Sequence, residues 1–193
     1  MENLDKAYWQ NRYEIADIGW DIGHISTPLK AYFDQLTDKK IKILIPGCGN
    51  AYEAEYLFQQ GFEEVYILDW SQKALDNFNS RVPSFPSEHL IQSDFFRHEG
   101  KYDLIVEQTF FCALNPEKRK AYVQQMKALL YEKGRLAGLM FGVHFPKSPP
   151  YGGDKTEYEE LFSPAFHIKT MEKCYNSIAP RQGSELFVQF INK

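Results

Sequence analysis

The sequence predicts an open α/β fold, a doubly wound sheet with helices on both faces. Three observations carry that prediction. An apolar run over residues 41–45 breaks into the turn Pro46-Gly47-Cys48-Gly49-Asn50, and a helical stripe follows with Ala54, Leu57, Phe58 and Gly61 at i, i+3, i+4 and i+7. A second apolar run over 65–68 ends on Asp69. Strand-like and helix-like patterns then alternate until two closing apolar runs, roughly 167–175 and 184–191, whose connection is too short for a helical crossover and implies an antiparallel pair.

Each element has its own signal. Trp9 and Tyr13 are four residues apart on one helix face, and Gly19-Trp20-Asp21-Ile22-Gly23 reads as a loop. Ser26-Thr27-Pro28 marks a helix start, with the helix over roughly 28–36. Strands over 41–46 and 64–69 should be parallel neighbours, since crossovers are right-handed. Ser71 is a candidate N-cap for a helix striped by Ala74, Leu75 and Phe78, and strands follow at 89–92 and 101–107. Asn115 caps the next helix, Pro116 opens it, Val123, Met126 and Leu130 stripe it, and Gly134 is expected to close it. The apolar run 135–141 reads as a strand buried on both faces. A Pro/Gly-rich loop spans 144–153, before a helix over roughly 154–162.

Composition bounds the function. The 193 residues suit one domain, with an N-terminal lid over 1–36 and a core over 37–193. Aromatics make up 16% of the chain, enough to line a pocket as well as fill a core. Lys and Arg number 22 against 26 Asp and Glu, a balance with no basic footprint for nucleic acid. Cys48, Cys112 and Cys174 are widely spaced and the histidines scattered, so neither a metal site nor a disulfide framework is expected. No stretch is apolar for long enough to span a bilayer, and Met1-Glu2-Asn3-Leu4-Asp5 has no signal-peptide pattern, so a cytoplasmic monomer acting on a small molecule is expected.

The strand–glycine–helix–strand–acid unit points to a nucleoside cofactor. Glycines allow close backbone approach, and Asp69 can accept both ribose hydroxyls. Dinucleotides call for a third glycine where this chain has Tyr52; S-adenosylmethionine has no pyrophosphate and does not. Asp94, just after the third strand, can hold an adenine amino group while Phe95 packs on the ring, although a turn-capping role would also explain it. The N-terminal aromatics read as a lid, packed on the core or closing over a cationic group.

Trp9, Trp20-Asp21-Ile22-Gly23, Pro46-Gly47-Cys48-Gly49, Leu68-Asp69-Trp70-Ser71, Ser93-Asp94-Phe95-Phe96, Tyr102-Asp103-Leu104-Ile105, Thr109-Phe110-Phe111-Cys112-Ala113-Leu114 and Pro149-Pro150-Tyr151 together resemble the thiopurine S-methyltransferase family, nearest to its halide and thiol methyltransferase branch. The resemblance implies a Rossmann-like sheet of seven strands with the last antiparallel. It also implies S-adenosylmethionine as cofactor and S-adenosylhomocysteine as product. By position, Trp9, Tyr13 and Trp20 would close over the cofactor, Gly47 and Gly49 would pass beneath its methionine part, and Asp69 would take the ribose. Asp94 and Phe95 would meet adenine, and Gln108 the amino-acid end. Phe110, Phe111 and Tyr151 are expected to wall a pocket for a small soft nucleophile (a thiol, a thiopurine, a halide or thiocyanate), with ordinary core packing the competing reading for the two phenylalanines. Family members often carry a further glycine where this chain has Asn50-Ala51, and many have an acid and an aromatic or Arg at the positions of Glu107 and Gln108.

The expected reaction is methyl transfer by in-line displacement, for which a thiolate or halide needs no dedicated base. Ser148-Pro149-Pro150-Tyr151 is similar to a tetrapeptide of amino-group methyltransferases, but it follows the fifth strand where theirs follows the fourth. The competing readings are a non-catalytic S-adenosylmethionine-binding protein and a nicotinamide-dependent oxidoreductase.

Overall fold

The structure, a computed structural model, describes residues 4–193; Met1, Glu2 and Asn3, which open the stretch read for a signal peptide and the 1–36 lid, lie outside the described residues. Seven strands form one sheet: β1 (Ile43–Pro46), β2 (Val65–Asp69), β3 (Leu90–Gln92), β4 (Tyr102–Gln108), β5 (Leu130–Phe141), β6 (Phe166–Lys173) and β7 (Glu185–Asn192). Their spatial order is β3-β2-β1-β4-β5-β7-β6. β1 to β5 pair in parallel, while β7 runs antiparallel to both β5 and β6.

The helices are α1 (Lys6–Glu14), α2 (Thr27–Phe33), α3 (Tyr52–Gln59), α4 (Gln72–Arg81), α5 (Arg119–Leu129) and α6 (Lys155–Phe162). Strand alternation assigns them to faces. Ile43, Ile45, Leu104 and Val106 join Leu29, Phe33, Leu57 and Phe78 of α2, α3 and α4 in one buried cluster. Leu44, Ile105, Leu136 and Met140 join Tyr122, Met126, Tyr158 and Phe162 of α5 and α6 in the other. Helix starts are capped as their sequences demand: Asp5, Ser71 and Asp154 accept backbone N–H bonds from Tyr8, Ala74 and Glu157.

Two local expectations change. Helix α5 ends at Leu129, and Gly134 lies inside β5. Leu130 is fully buried and pairs with Tyr102, so the chain turns extended before the glycine is reached. The register then slips between Tyr102 and Leu104, and Lys133 takes the left-handed conformation, φ 63°, that Gly134 was expected to supply. Helix α2 begins at Thr27 and ends early, at Phe33; its Ser26 hydroxyl does not cap it but donates to Gln108 Oε1, 3.5 Å away.

Gly138 on β5 sits beside Glu107 on β4. A β-carbon at Gly138 would lie 2.2 Å from the Glu107 carbonyl oxygen and 2.5 Å from its Cβ. The obstacle is backbone in the middle of the sheet and cannot swing away. Gly138→Ala should therefore cost about 1–3 kcal/mol of stability by overpacking. Urea unfolding measures this, and a midpoint equal to that of the wild type would refute it.

Candidate active site

The chain leaves β1 for β2 on one side and later returns to pair β4 on the other, so the strand order reverses there. At such a reversal a crevice opens outside the carboxyl ends of the strands. Here it is a cavity of about 520 Å³, within the range of small-molecule sites. Trp9, Tyr13, Trp20, Gly47, Gly49, Asp69, Asp94, Phe95 and Gln108 all line it, as does Phe110. Phe111 and Tyr151 do not. Phe111 turns away into the core, its ring 5.0 Å from Tyr122 and 5.5 Å from Tyr158. Tyr151 donates its backbone N–H to the Cys112 carbonyl at 2.6 Å, and the same loop presents Pro149 and Pro150 to the cavity instead.

The floor is the turn after β1. Gly47 and Gly49 have φ of 57° and 53°, a conformation that favours glycine. Their missing side chains also make room. A β-carbon at Gly47 would be 2.2 Å from the Phe110 ring, and one at Gly49 would be 2.4 Å from the Tyr13 hydroxyl. Ala51 also has positive φ, 54°, which explains why a glycine is favourable nearby; keeping alanine there costs about 1–2 kcal/mol.

The N-terminal segment that carries Trp9, Tyr13 and Trp20 is tied down from three directions. Gln10 Oε1 accepts from Ser71 Oγ at 3.0 Å and from Lys73 N at 3.3 Å. Asn50 Nδ2 donates to the Asp21 carboxylate. Arg181 Nη2, from the β6–β7 connection, donates to the Trp20 carbonyl at 2.6 Å. Within the lid, Trp20 Nε1 donates to Tyr13 Oη at 3.3 Å, and Trp9 meets Trp20 edge to face at 5.5 Å.

Residues 4–191 match the sequence profile of thiopurine S-methyltransferase (TPMT). The chain belongs to the thiopurine S-methyltransferase family. It is therefore an S-adenosylmethionine-dependent methyltransferase. Membership decides against the nicotinamide-dependent oxidoreductase and the non-catalytic binder. A probable thiol methyltransferase 2 of Arabidopsis thaliana is 30% identical over 96% of this chain and 84% of its own length. Thiocyanate methyltransferase 1 of Brassica oleracea is 29% identical over 95% and 84%. The thiopurine S-methyltransferase of Vibrio vulnificus is 24% identical over 98% and 94%. Among solved structures, the fold matches the 1,6-didemethyltoxoflavin-N1-methyltransferase of Burkholderia thailandensis, with a TM-score of 0.80 at 15% identity over 98% of this chain and 88% of that one. It also matches magnesium protoporphyrin IX methyltransferase of Synechocystis, with a TM-score of 0.75 at 14% identity over 98% and 100%. Both were solved with S-adenosylhomocysteine, and at these identities the likeness is one of fold.

The residues of this family member fit its cofactor. Asp69 is buried; its Oδ2 accepts from Gly49 N at 2.9 Å and its Oδ1 from Ser71 N at 2.8 Å. The carboxylate keeps lone-pair capacity for a hydroxyl. Burial pushes the Asp69 carboxyl up, and the Ser71, Gly49 and Trp70 amides oppose that shift. Asp94 Oδ1 accepts from Phe96 N at 2.9 Å, so it caps its turn as well as lining the cavity. Gln108 bridges to the lid through Ser26. Burial, then the Asp69 charge, pushes the Cys48 thiol well up; burial and Glu107 do the same to Cys112. Both thiols are held neutral. Among the described residues no cluster of His, Cys, Asp or Glu could hold a metal ion.

Two residues had no site role in the sequence reading. Arg181 is nine-tenths buried and lines the cavity, yet its sequence setting is an ordinary Pro/Gly connection far from the glycine turn. Glu107 is wholly buried beneath the cavity wall. It accepts from Phe110 N and Phe111 N, each at 2.8 Å, and from the Tyr122 hydroxyl. A charged residue ending an apolar strand was the available signal.

Burial pushes the Glu107 carboxyl up to about 7 from an ordinary 4.5. The folded state thus holds this proton more tightly than the unfolded chain does. The resulting stabilisation is full below about pH 4.5 and is lost as pH rises through about 7. Glu107→Gln, which is neutral throughout, should lack this loss. Wild-type stability relative to the variant should fall by about 1–3 kcal/mol across that window. Urea unfolding at a series of pH values tests this, and parallel profiles for the two proteins would contradict it.

Proposed function

We propose that the chain transfers the methyl group of S-adenosylmethionine to a small anionic soft nucleophile: a thiolate, hydrosulfide, thiocyanate or halide. The observation that carries this reading is the buried Arg181 guanidinium at the cavity, which Phe110, Leu114, Phe141, Pro149, Pro150 and Pro180 also line. Arg181 Nη1 is buried without a hydrogen-bond partner; Glu185 Oε1, 3.6 Å away, is its nearest counter-charge. A buried guanidinium at the cavity is suited to an anion that sheds its water on entry, in competition with its Glu185 ion pair. The thiol and thiocyanate methyltransferases among the relatives support the same class.

In this reading Asp69 takes the ribose hydroxyls, Asp94 and Phe95 meet adenine, and Gln108 takes the amino-acid end. Gly47 and Gly49 lie beneath the methionine part, with Trp9, Tyr13 and Trp20 closing over it. The 1–36 lid and the 37–193 core act as one methyltransferase domain. When bound, the cofactor supplies a methyl group already activated by its sulfonium. Arg181 holds and orients the anion, and the Phe110, Leu114 and Phe141 wall excludes water from it. The nucleophile arrives deprotonated, so no side chain has to remove a proton. The neutral Cys48 and Cys112 thiols do not compete as methyl acceptors.

Asp69→Ala should weaken S-adenosylhomocysteine binding by about 1.5–3 kcal/mol, the loss of hydrogen bonds to a charged acceptor. Calorimetric titration measures it, and an unchanged affinity would remove Asp69 from the ribose site.

A substrate panel tests the reaction itself. S-adenosylhomocysteine release should be seen with hydrosulfide, an aryl thiol, thiocyanate and iodide, and should be absent with a phenol or an amine. Arg181→Met should lower kcat/KM for iodide about 10-fold or more. Turnover confined to the phenol or amine would overturn the nucleophile class.

A further inference from the structure

Glu107 lies under the cavity wall and touches none of the reacting groups, yet it holds the wall's shape. Its carboxylate gathers the backbone N–H groups of Phe110 and Phe111, which end the turn after β4. That turn contains Thr109 at a φ of 57°, a strained conformation for a β-branched residue. The turn aims two rings in opposite directions. Phe111 is driven into the core, and Phe110 is laid across Gly47 so closely that no β-carbon would fit there. Phe110 also meets Phe95, the ring beside Asp94, at 5.1 Å edge to face. The rings bordering the cavity at the β3 and β4 ends thus depend on one acid.

We propose that Glu107 is the positioning residue of this site: its ionised carboxylate sets Phe110 against Gly47, and its charge state governs how firmly the cofactor edge is held. The inference rests on the assignment of the Gly47–Phe110 cavity to the cofactor. The two amide bonds are strongest to a charged acceptor and weaken when it takes a proton.

The surroundings make Glu107 the group that responds. From α5, Tyr122 donates its hydroxyl to the carboxylate. From its own turn, the neutral Cys112 thiol is nearby and donates to the Thr109 carbonyl at 3.4 Å. Arg181 and Glu185 act on that thiol from the β6–β7 end. From β5 the neighbour is Gly138, which has no side chain. Among the described residues no cation is bonded to Glu107, so its charge rests on these few donors. Burial brings its titration to about 7, within the working range of an enzyme assay.

The test is S-adenosylhomocysteine affinity, by calorimetry, across pH for the wild type, Glu107→Gln and Tyr122→Phe. Glu107→Gln keeps the size of the side chain and copies its protonated charge. At high pH the wild type should bind roughly fivefold more tightly than Glu107→Gln, the two converging as pH falls below the titration. Groups common to both proteins, the histidines and the ligand's amine included, cancel in that ratio. Tyr122→Phe removes a donor to the ionised form, so the wild-type inflection should move to higher pH. A merely structural role predicts a constant offset at every pH, and that result would overturn the proposal. Should Glu107→Gln not fold, an unmoved inflection in Tyr122→Phe would overturn it as well. Absence of binding by the wild type at every pH would instead overturn the cofactor assignment, and the proposal with it.

Discussion

Two missing side chains control this site. With Gly47 and Gly49 bare, the Phe110 ring and the Tyr13 hydroxyl come within distances that any β-carbon would forbid. One of these groups comes from the end of β4 and the other from the N-terminal lid, so the β1 turn is where the core and the lid meet. The remaining contacts hold that meeting in place. Asp69 fixes the Gly49 amide, Glu107 fixes the Phe110 amide, and Gln10, Asn50 and Arg181 fasten the lid. The glycines supply space, and the buried acids decide what fills it.

Those acids stay buried because the backbone satisfies them. Asp69 and Glu107 each accept two main-chain N–H groups, and Glu53 accepts from Ser26 N at 3.5 Å. Main-chain donors cannot rotate away or titrate, so they can order Asp69 and Glu107 without a cation bonded to either among the described residues, while Arg181 also acts on Glu53. The cost shows in the upward shift of all three carboxyls, for which burial is the first cause. A site that receives a sulfonium gains from nearby negative charge, and one that receives an anion gains from a cation; here the acids lie along the β1–β4 edge and Arg181 on the β6–β7 side.

The sequence made the sheet legible because strand and helix periods differ and turn residues mark the breaks. Ile43, Ile45 and Leu44 alternate between the two core clusters, as a strand with both faces covered must. The error at Gly134 has a physical source. Glycine after a helical stripe signals a cap, but the buried pairing of Leu130 with Tyr102 outweighs that local preference. The gathering of Gly47, Gly49, Asp69, Asp94 and Phe95 around one cavity was legible because these residues follow strand ends at known offsets. Phe111 and Tyr151 were misplaced because adjacent residues in a tight turn face opposite ways, and sequence alone does not fix which one turns inward. Arg181 was invisible: 161 positions separate it from Trp20, and only the antiparallel return of β7 brings the two together.

Arg181 joins the two halves of the site. One arm of its guanidinium holds the Trp20 carbonyl, while the other faces Glu185 without a hydrogen bond. Its planar fork can serve the lid and an anion at once, because its donors diverge from one rigid group. A lysine carries its charge on a single nitrogen and would have to choose. An anion that competed with Glu185 for the second arm would therefore act on the same side chain that anchors the Trp20 loop, and Trp20 would pass that constraint on to Tyr13 through their hydrogen bond. Tyr13 lies on Gly49, so a physical path runs from Arg181 to the turn after β1 through one carbonyl, one indole and one phenol.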